Sequence, residues 1–266
     1  MKHLLEQMTF LEFRERMAED PVVILTLGSV EVQGPCNPMG DFMLATRIAG
    51  IVAERTGAIA APTMPFGFAD VFRDVPGGMQ LSADTFRAVL REMIGAFLDH
   101  GLARLVIING HTGNNALIDL VTRDIRRQRG VLVPWINIWP TGIMVNRKAQ
   151  GGNAPRSVGH GSDPIGSVYE YFFPEYTRRE MANAPETPRS FLGLPTNGLS
   201  GVKLGDVAIG APVRMLDQCD ATVGGDPALA NAASGKIFAA HIIDACCRLV
   251  EHMKTAPVRE EVSTAG

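Results

Sequence analysis

The chain has 266 residues, 46% hydrophobic and 20% charged, enough to bury the core of one large α/β domain. Its formal net charge of −3 leaves no basic surplus for a phosphate backbone, which excludes nucleic acid as an expected partner. No uninterrupted apolar run reaches the roughly 18 residues of a membrane span, and the opening MKHLLEQMTFLEFRERMAED lacks the apolar core and cleavage site of a secretory signal, so no membrane partner is expected. Cys36, Cys219, Cys246 and Cys247 form no CxxC pair and fit a reduced, cytoplasmic setting.

In chain order, residues 8–19 carry apolar positions at helical spacing. PVVILTLGS (21–29) is a continuous β-branched run of the kind a buried parallel strand shows. A Gly- and Pro-rich loop over 30–41 precedes a helix over 42–57 that stops at Gly57. A strand over 58–66 leads to a long loop, GFADVFRDVPGGMQ, and Ser82 is placed to cap the next helix, 83–101. Then follow a strand over 103–110, a helix over 114–130 and a strand over 131–139 in which Pro134 predicts an edge or a bulge. Residues 140–225 are rich in Gly, Pro and Asn and resist assignment, except that SVGHGSDPIGSVYEYFF reads as a loop entering a helix. A terminal helix is expected over 226–255 with Asp226 as N-cap and Pro227 at its first position, followed by a frayed tail.

Strands alternating with helices imply a mostly parallel sheet covered on both faces, with the ligand site at the carboxyl ends of the strands. That rule selects the loops after Ser29, Phe66, Asn109 and Trp139. Three polar clusters follow predicted strands: GSVEVQGPCNPMGD with Glu31 and Asp41, NGHTGNN with His111, and GHGSD with His160 and Asp163. Two carboxylates and an imidazole converging there would make a divalent-metal site, able to acidify a water and polarise a carbonyl. His160, with an ordinary pKa near 6.5, suits acid or base work. Plainer readings exist for each: Glu31 as a loop carboxylate capping a helix, His111 bonded to a loop carbonyl, His160 as a turn residue. Trp139, nearer the loop than Trp135, is a candidate wall of a pocket for a flat ligand.

The pieces GSVEVQGP, MPFGFAD, VPGGMQLS, HGLARLVIINGHTGN, VGHGSD and VGGDPALANAASGK occur in an order and spacing that resembles the creatininase (creatinine amidohydrolase) family from roughly residue 9 to 250. The resemblance implies one creatininase-like domain over 1–255 with a C-terminal tail over 256–266, a three-layer α/β/α fold and a homohexamer or other homo-oligomer. It implies hydrolysis of an amide or cyclic amide C–N bond of a small-molecule substrate. By the same resemblance Glu31, Asp41 and His111 are metal ligands, and His160 lies near the reacting centre.

The family's first motif usually reads Gly-Ser-x-Glu-x-His-Gly-Pro-His-Leu-Pro. Here Gln33 and Cys36 stand at its two histidines, and Gly113 and Ile165 stand where relatives carry a further Glu. These departures fall on one metal position. They lead us to expect a single Zn²⁺, Mn²⁺ or Fe²⁺ per subunit, with Asp163 as a catalytic carboxylate able to take the lost Glu's place. Gln33, Cys36, Trp139 and Arg73 are expected around the substrate, Arg73 as a clamp for a substrate carboxylate. The competing readings are a non-hydrolytic metal-dependent enzyme, lyase or isomerase, on the same fold, or a homologue without catalysis.

Overall fold

The computed structural model describes residues 1–220, 222 and 224–259. Helix α1 (Phe10–Met17) starts at a capping box, with the Thr9 side chain accepting from the Glu12 N–H and the Glu12 carboxylate accepting from the Thr9 N–H. Strand β1 (Val23–Leu27) is buried along its whole length, and helix α2 (Phe42–Thr56) returns over it, ended by Gly57 in the left-handed region. Strand β2 is only Ile59–Ala60, because Pro62 and Pro65 interrupt the ladder that the 58–66 run predicts. One isolated bridge, Leu27 to Met64, continues it.

Helix α3 (Ala83–Asp99) begins at Ser82, whose hydroxyl accepts from the Thr85 N–H. Strand β3 (Leu105–Asn109), helix α4 (Asn115–Arg129) and strand β4 (Trp135–Asn137) follow. The expected strand over 131–139 is shorter at both ends. Pro134 delays its start, and the Asn137 side chain accepts from the Trp139 N–H and opens helix α5 (Ile138–Ile143), so Trp139 lies on a helix.

The four strands run parallel in the order β2-β1-β3-β4, with Leu27 beside Asn109 at the carboxyl ends of the central pair. Alternate side chains fill two cores. Ile24, Val106 and Ile108 face α2 and the helices α8 (Ile165–Phe172) and α9 (Ala232–Met253), whereas Val23, Leu25, Leu27, Leu105 and Ile107 face α3 and α4. Helices thus cover both faces, the three-layer α/β/α arrangement. Fully burying each such Leu, Ile or Val contributes about 1.5–3 kcal/mol.

The unassigned region 140–225 holds helices α6 (Asn146–Gln150) and α7 (Ala154–Ser157), and two small hairpins, β5 (Ser190–Phe191) with β6 (Leu194–Pro195) and β7 (Gly201–Leu204) with β8 (Val207–Gly210). Asp226 does act as an N-cap, its side chain accepting from the Ala228 N–H, but only for one 3-10 turn, and the Asn231 side chain starts α9. The tail is not loose immediately after Lys254. The Leu132 N–H donates to the Val258 carbonyl at 2.9 Å and an Arg104 guanidinium donor reaches the Ala256 carbonyl at 3.0 Å. Residues 260–266 of the expected tail lie outside the described residues. Among the described residues no helix is long and apolar enough to cross a membrane.

Candidate metal centre

The sheet positions β1 and β3 side by side, and the loops that leave their carboxyl ends bring two carboxylates and an imidazole together. Helix α2 departs from β1 on one face and α4 departs from β3 on the other, which opens a crevice between the loops. Glu31 and Asp41 come from the first loop and His111 from the second, all three buried. His111 Nδ1 lies 3.2 Å from Glu31 Oε1 and 3.3 Å from Asp41 Oδ2. Asp41 Oδ1 accepts from the Ser29 N–H at 2.8 Å, and Glu31 Oε1 accepts from the Gln33 amide at 3.0 Å, while Glu31 Oε2 is buried without a partner. The loop is tied from behind by Tyr169, whose hydroxyl donates to the Gly40 carbonyl at 2.7 Å.

The other ring nitrogen, His111 Nε2, faces the Phe68 carbonyl at 3.1 Å. A carbonyl only accepts, so Nε2 carries hydrogen and Nδ1 is the nitrogen turned toward two carboxylates. In the absence of positive charge that arrangement repels itself. Burial alone would lower the His111 pKa, but the facing Glu31 and Asp41 reverse this and hold it well above the ordinary histidine range. Burial raises Asp41, opposed by its bonds to His111 and Ser29. A proton on Nδ1 is one remedy and a cation is the other. The donor set fits a cation: one ligand atom from each of the three residues lies within 4.8 Å of the others. Donor separations of roughly 3.3–3.6 Å are what a four-coordinate ion with ligands near 2.0–2.2 Å requires. Among the described residues this is the one convergence of three such groups.

The trio forms the floor of a cleft of about 490 Å³. Its walls are Phe68 and Phe72 from the loop after β2, Trp139 and Ile143 on α5, Val158 and His160 before α8, and Leu199 next to β7. Trp139 is fixed by its indole N–H, which donates to the Gly110 carbonyl. The His160 ring stacks on Phe72, centroids 4.3 Å apart and planes at 17°, and its Nε2 donates to the Val32 carbonyl at 2.7 Å. Burial lowers the His160 pKa, with Glu31 acting the other way.

Asp163 reaches the cleft wall but its carboxylate is committed. Oδ1 accepts from the Ser167 N–H at 3.2 Å and hydroxyl at 2.5 Å, and Oδ2 accepts from the Gln150 amide. Burial raises its pKa and these bonds oppose the rise. It is not among the three converging groups. Three side chains expected around the substrate are not part of the cleft lining. Gln33 donates its amide to Glu31, and Cys36 is a buried residue of the same loop. Arg73 turns back to Asp70 at 2.6 Å, which leaves no cationic side chain on the wall among the described residues. Phe68 and Phe72 escaped sequence reasoning as site residues. The signals for them are that GFADVF leaves the carboxyl end of a strand and that Phe68 lies within the MPFGFAD piece.

Comparison with known proteins identifies the family and the fold. Residues 6–250 match the creatininase family, described as creatinine amidohydrolase. The chain is 29% identical over 192 residues to 3-dehydro-scyllo-inosose hydrolase of Thermotoga maritima, covering 70% of this chain and 61% of that protein. It is 31% identical over 131 residues to creatinine amidohydrolase of Pseudomonas putida, covering 45% and 50%. It is 25% identical over 247 residues to the mycofactocin precursor peptide peptidase of Mycobacterium ulcerans, covering 89% and 87%. The chain thus spans 61% and 50% of the lengths of the first two relatives. Solved structures described as "Creatininase Mn" and as a creatininase variant of "Zn-Zn type" each superpose with a TM-score of 0.76 at 20% identity, over 96% of this chain and 100% of theirs. With the family match running through nearly every element of the fold, the chain belongs to the creatininase family.

Proposed function

We propose that the protein is a metal-dependent hydrolase that cleaves a C–N bond, amide or cyclic amide, in a small uncharged or cationic substrate, using one Zn²⁺ or Mn²⁺ per subunit. The observation that carries this reading is the buried Glu31, Asp41 and His111 trio, with its unpartnered Glu31 oxygen, at the floor of an aromatic cleft. One cation rather than two is supported by Gln33, which spends its amide N–H on Glu31, and by Gly113, which offers no donor.

A divalent cation held by the trio would supply Lewis acidity toward a carbonyl oxygen and acidify a neighbouring water. The protein's own residues do the rest. Phe72 and Trp139 flank a flat substrate and keep bulk water out. His160 keeps hydrogen on Nε2 against Val32, so its other nitrogen is the one that accepts a proton from the attacking water and delivers it to the departing nitrogen. In balance, one water is consumed: its oxygen joins the carbonyl carbon and its protons go to the amine. Asp163 acts as a positioning residue, holding the start of α8 against Gln150 and thereby the segment that carries His160.

Two relatives support neighbouring readings of the substrate. The Thermotoga relative is named a hydrolase without mention of an amide, and the mycobacterial relative is named a peptide peptidase. The cleft lining holds no Lys or Arg among the described residues, which argues against a substrate clamped by an Arg–carboxylate pair. The test begins with metal analysis of protein purified without chelator, then with Asp41→Asn and His111→Ala. Each variant should lose stoichiometric metal and lower kcat/KM by more than about a hundredfold, the scale set by loss of an electrophilic catalyst. Full metal content in both would end the ligand assignment. Reaction in ¹⁸O-labelled water must then place label in the new carboxyl group, and unlabelled product would point to lyase or isomerase chemistry.

A further inference from the structure

The nitrogen that His111 turns toward the carboxylates is decided by a backbone carbonyl, and the position of that carbonyl is decided by two neighbours in the NGHTGNN loop. Asn114 is fully buried and its amide is fixed on both sides. Its oxygen accepts from the Phe68 N–H at 2.9 Å, and its nitrogen donates to the Gly28 carbonyl at 3.3 Å and to Asn109 Oδ1 at 3.2 Å. The reversed amide would set NH₂ against the Phe68 N–H, so the orientation follows from the partners. Asn114 therefore anchors Phe68, whose carbonyl meets His111 Nε2 at 3.1 Å.

Gly113 makes the meeting sterically possible. A Cβ on Gly113 would stand 2.4 Å from His111 Nε2 and 2.5 Å from the Phe68 oxygen, too close to both donor and acceptor for either to stay where it is. A side chain there would force the ring or the carbonyl to shift, and with it this hydrogen bond.

We propose that Asn114 and Gly113 are a positioning pair that, through the Phe68 carbonyl, fixes hydrogen on His111 Nε2 and so presents Nδ1 to the Glu31–Asp41 cation site. The inference rests on the reading of the trio as cation ligands. Neither residue touches the cation or the substrate in this role. Each acts through the imidazole, as outer hydrogen bonds to ligating histidines do when they set tautomer and ring orientation. Without the carbonyl the ring can offer an N–H where a lone pair is needed, or swing away from the carboxylates.

The experiment measures the Zn²⁺ dissociation constant of the full chain by competition with a chromophoric chelator, for wild type, Asn114→Ala, Gly113→Ala and the double variant. Each single variant should bind Zn²⁺ about 10–100-fold more weakly. The double variant should be no weaker than the worse single one, because both break the same link. Unfolding of the zinc-free proteins is followed in parallel. A loss of stability with unchanged zinc affinity marks a purely structural role and overturns the proposal, as does additivity of the two effects. Should a variant not fold, ¹⁵N histidine NMR of zinc-loaded wild type decides: metal on Nδ1 with hydrogen on Nε2 supports the proposal, and the opposite assignment overturns it. Wild-type protein that binds no zinc defeats the ligand reading itself, whereas wild-type binding with unaffected variants defeats only this inference.

Discussion

His160 faces the cleft with one nitrogen already committed to Val32 and its ring clamped on Phe72. Those contacts leave it little freedom except to take and return a proton, and its lowered pKa keeps it neutral near pH 7, as a base must be. Replacing it with glutamine should reduce kcat by about 10²–10⁴-fold, the usual contribution of general acid–base catalysis, while metal content stays at the wild-type level. Parallel measurement of both quantities checks this, and loss of metal would instead make His160 part of the ligand set. At this scale the sequence is readable wherever a side chain names its chemistry. Glu31, Asp41 and His111 can be brought together from strand-end position and motif order alone. The Phe68 carbonyl cannot, because every residue has a carbonyl and only the fold selects one. Arg73 shows the opposite failure: its charge is plain in the sequence, but the neighbour that claims it, Asp70, is settled by local geometry.

Elements with strong local signals match their sequence pattern closely. Helix α1 is held at its start by Thr9 and Glu12, and the bonds from Lys2 and the Thr9 backbone lower the Glu12 pKa to about 2 from 4.5. A folded-state pKa below the unfolded one means the contribution is present above about pH 4.5 and is lost as pH falls toward 2. Protection factors of the first-turn amides of α1, taken relative to the intrinsic exchange rate at each pH, should therefore fall through that window with β1 still protected. Thr9→Ala should bring similar fraying at neutral pH, at a cost of about 0.5–2 kcal/mol measured by denaturant unfolding. Where elements differ from the sequence reading, a competing local bond is responsible. Pro62 and Pro65 cut β2 short, Asn137 turns the chain into α5 before Trp139, and Asn231 rather than Asp226 begins α9.

For the molecule as a whole, the layer order and the parallel sheet are legible because alternating apolar strands and amphipathic helices admit few arrangements. Residues 140–225 are not, since their short helices and hairpins are held by long-range contacts such as Gln150 with Leu229 and Arg189 with Asp220. A cation that binds only the folded chain must stabilise it: at a hundredfold excess over Kd the gain is about 2.7 kcal/mol, or several degrees in Tm for a chain of this size. Calorimetry with and without Zn²⁺, reversed by chelator, reads that shift, and an unchanged Tm would count against a folded-state site.

The seam between β1 and β3 gives the same site a mechanical meaning. One half of the sheet sends its following helix to one side and contributes both acidic groups. The other sends its helix to the opposite side and contributes the imidazole. A slip of one residue along that seam moves the loops apart by about 3.3 Å, more than a coordination bond can span. An ion fastened there would behave as a rivet through the middle of the sheet, and its retention would serve as a gauge of strand alignment in any rearranged or partly unfolded form of the protein.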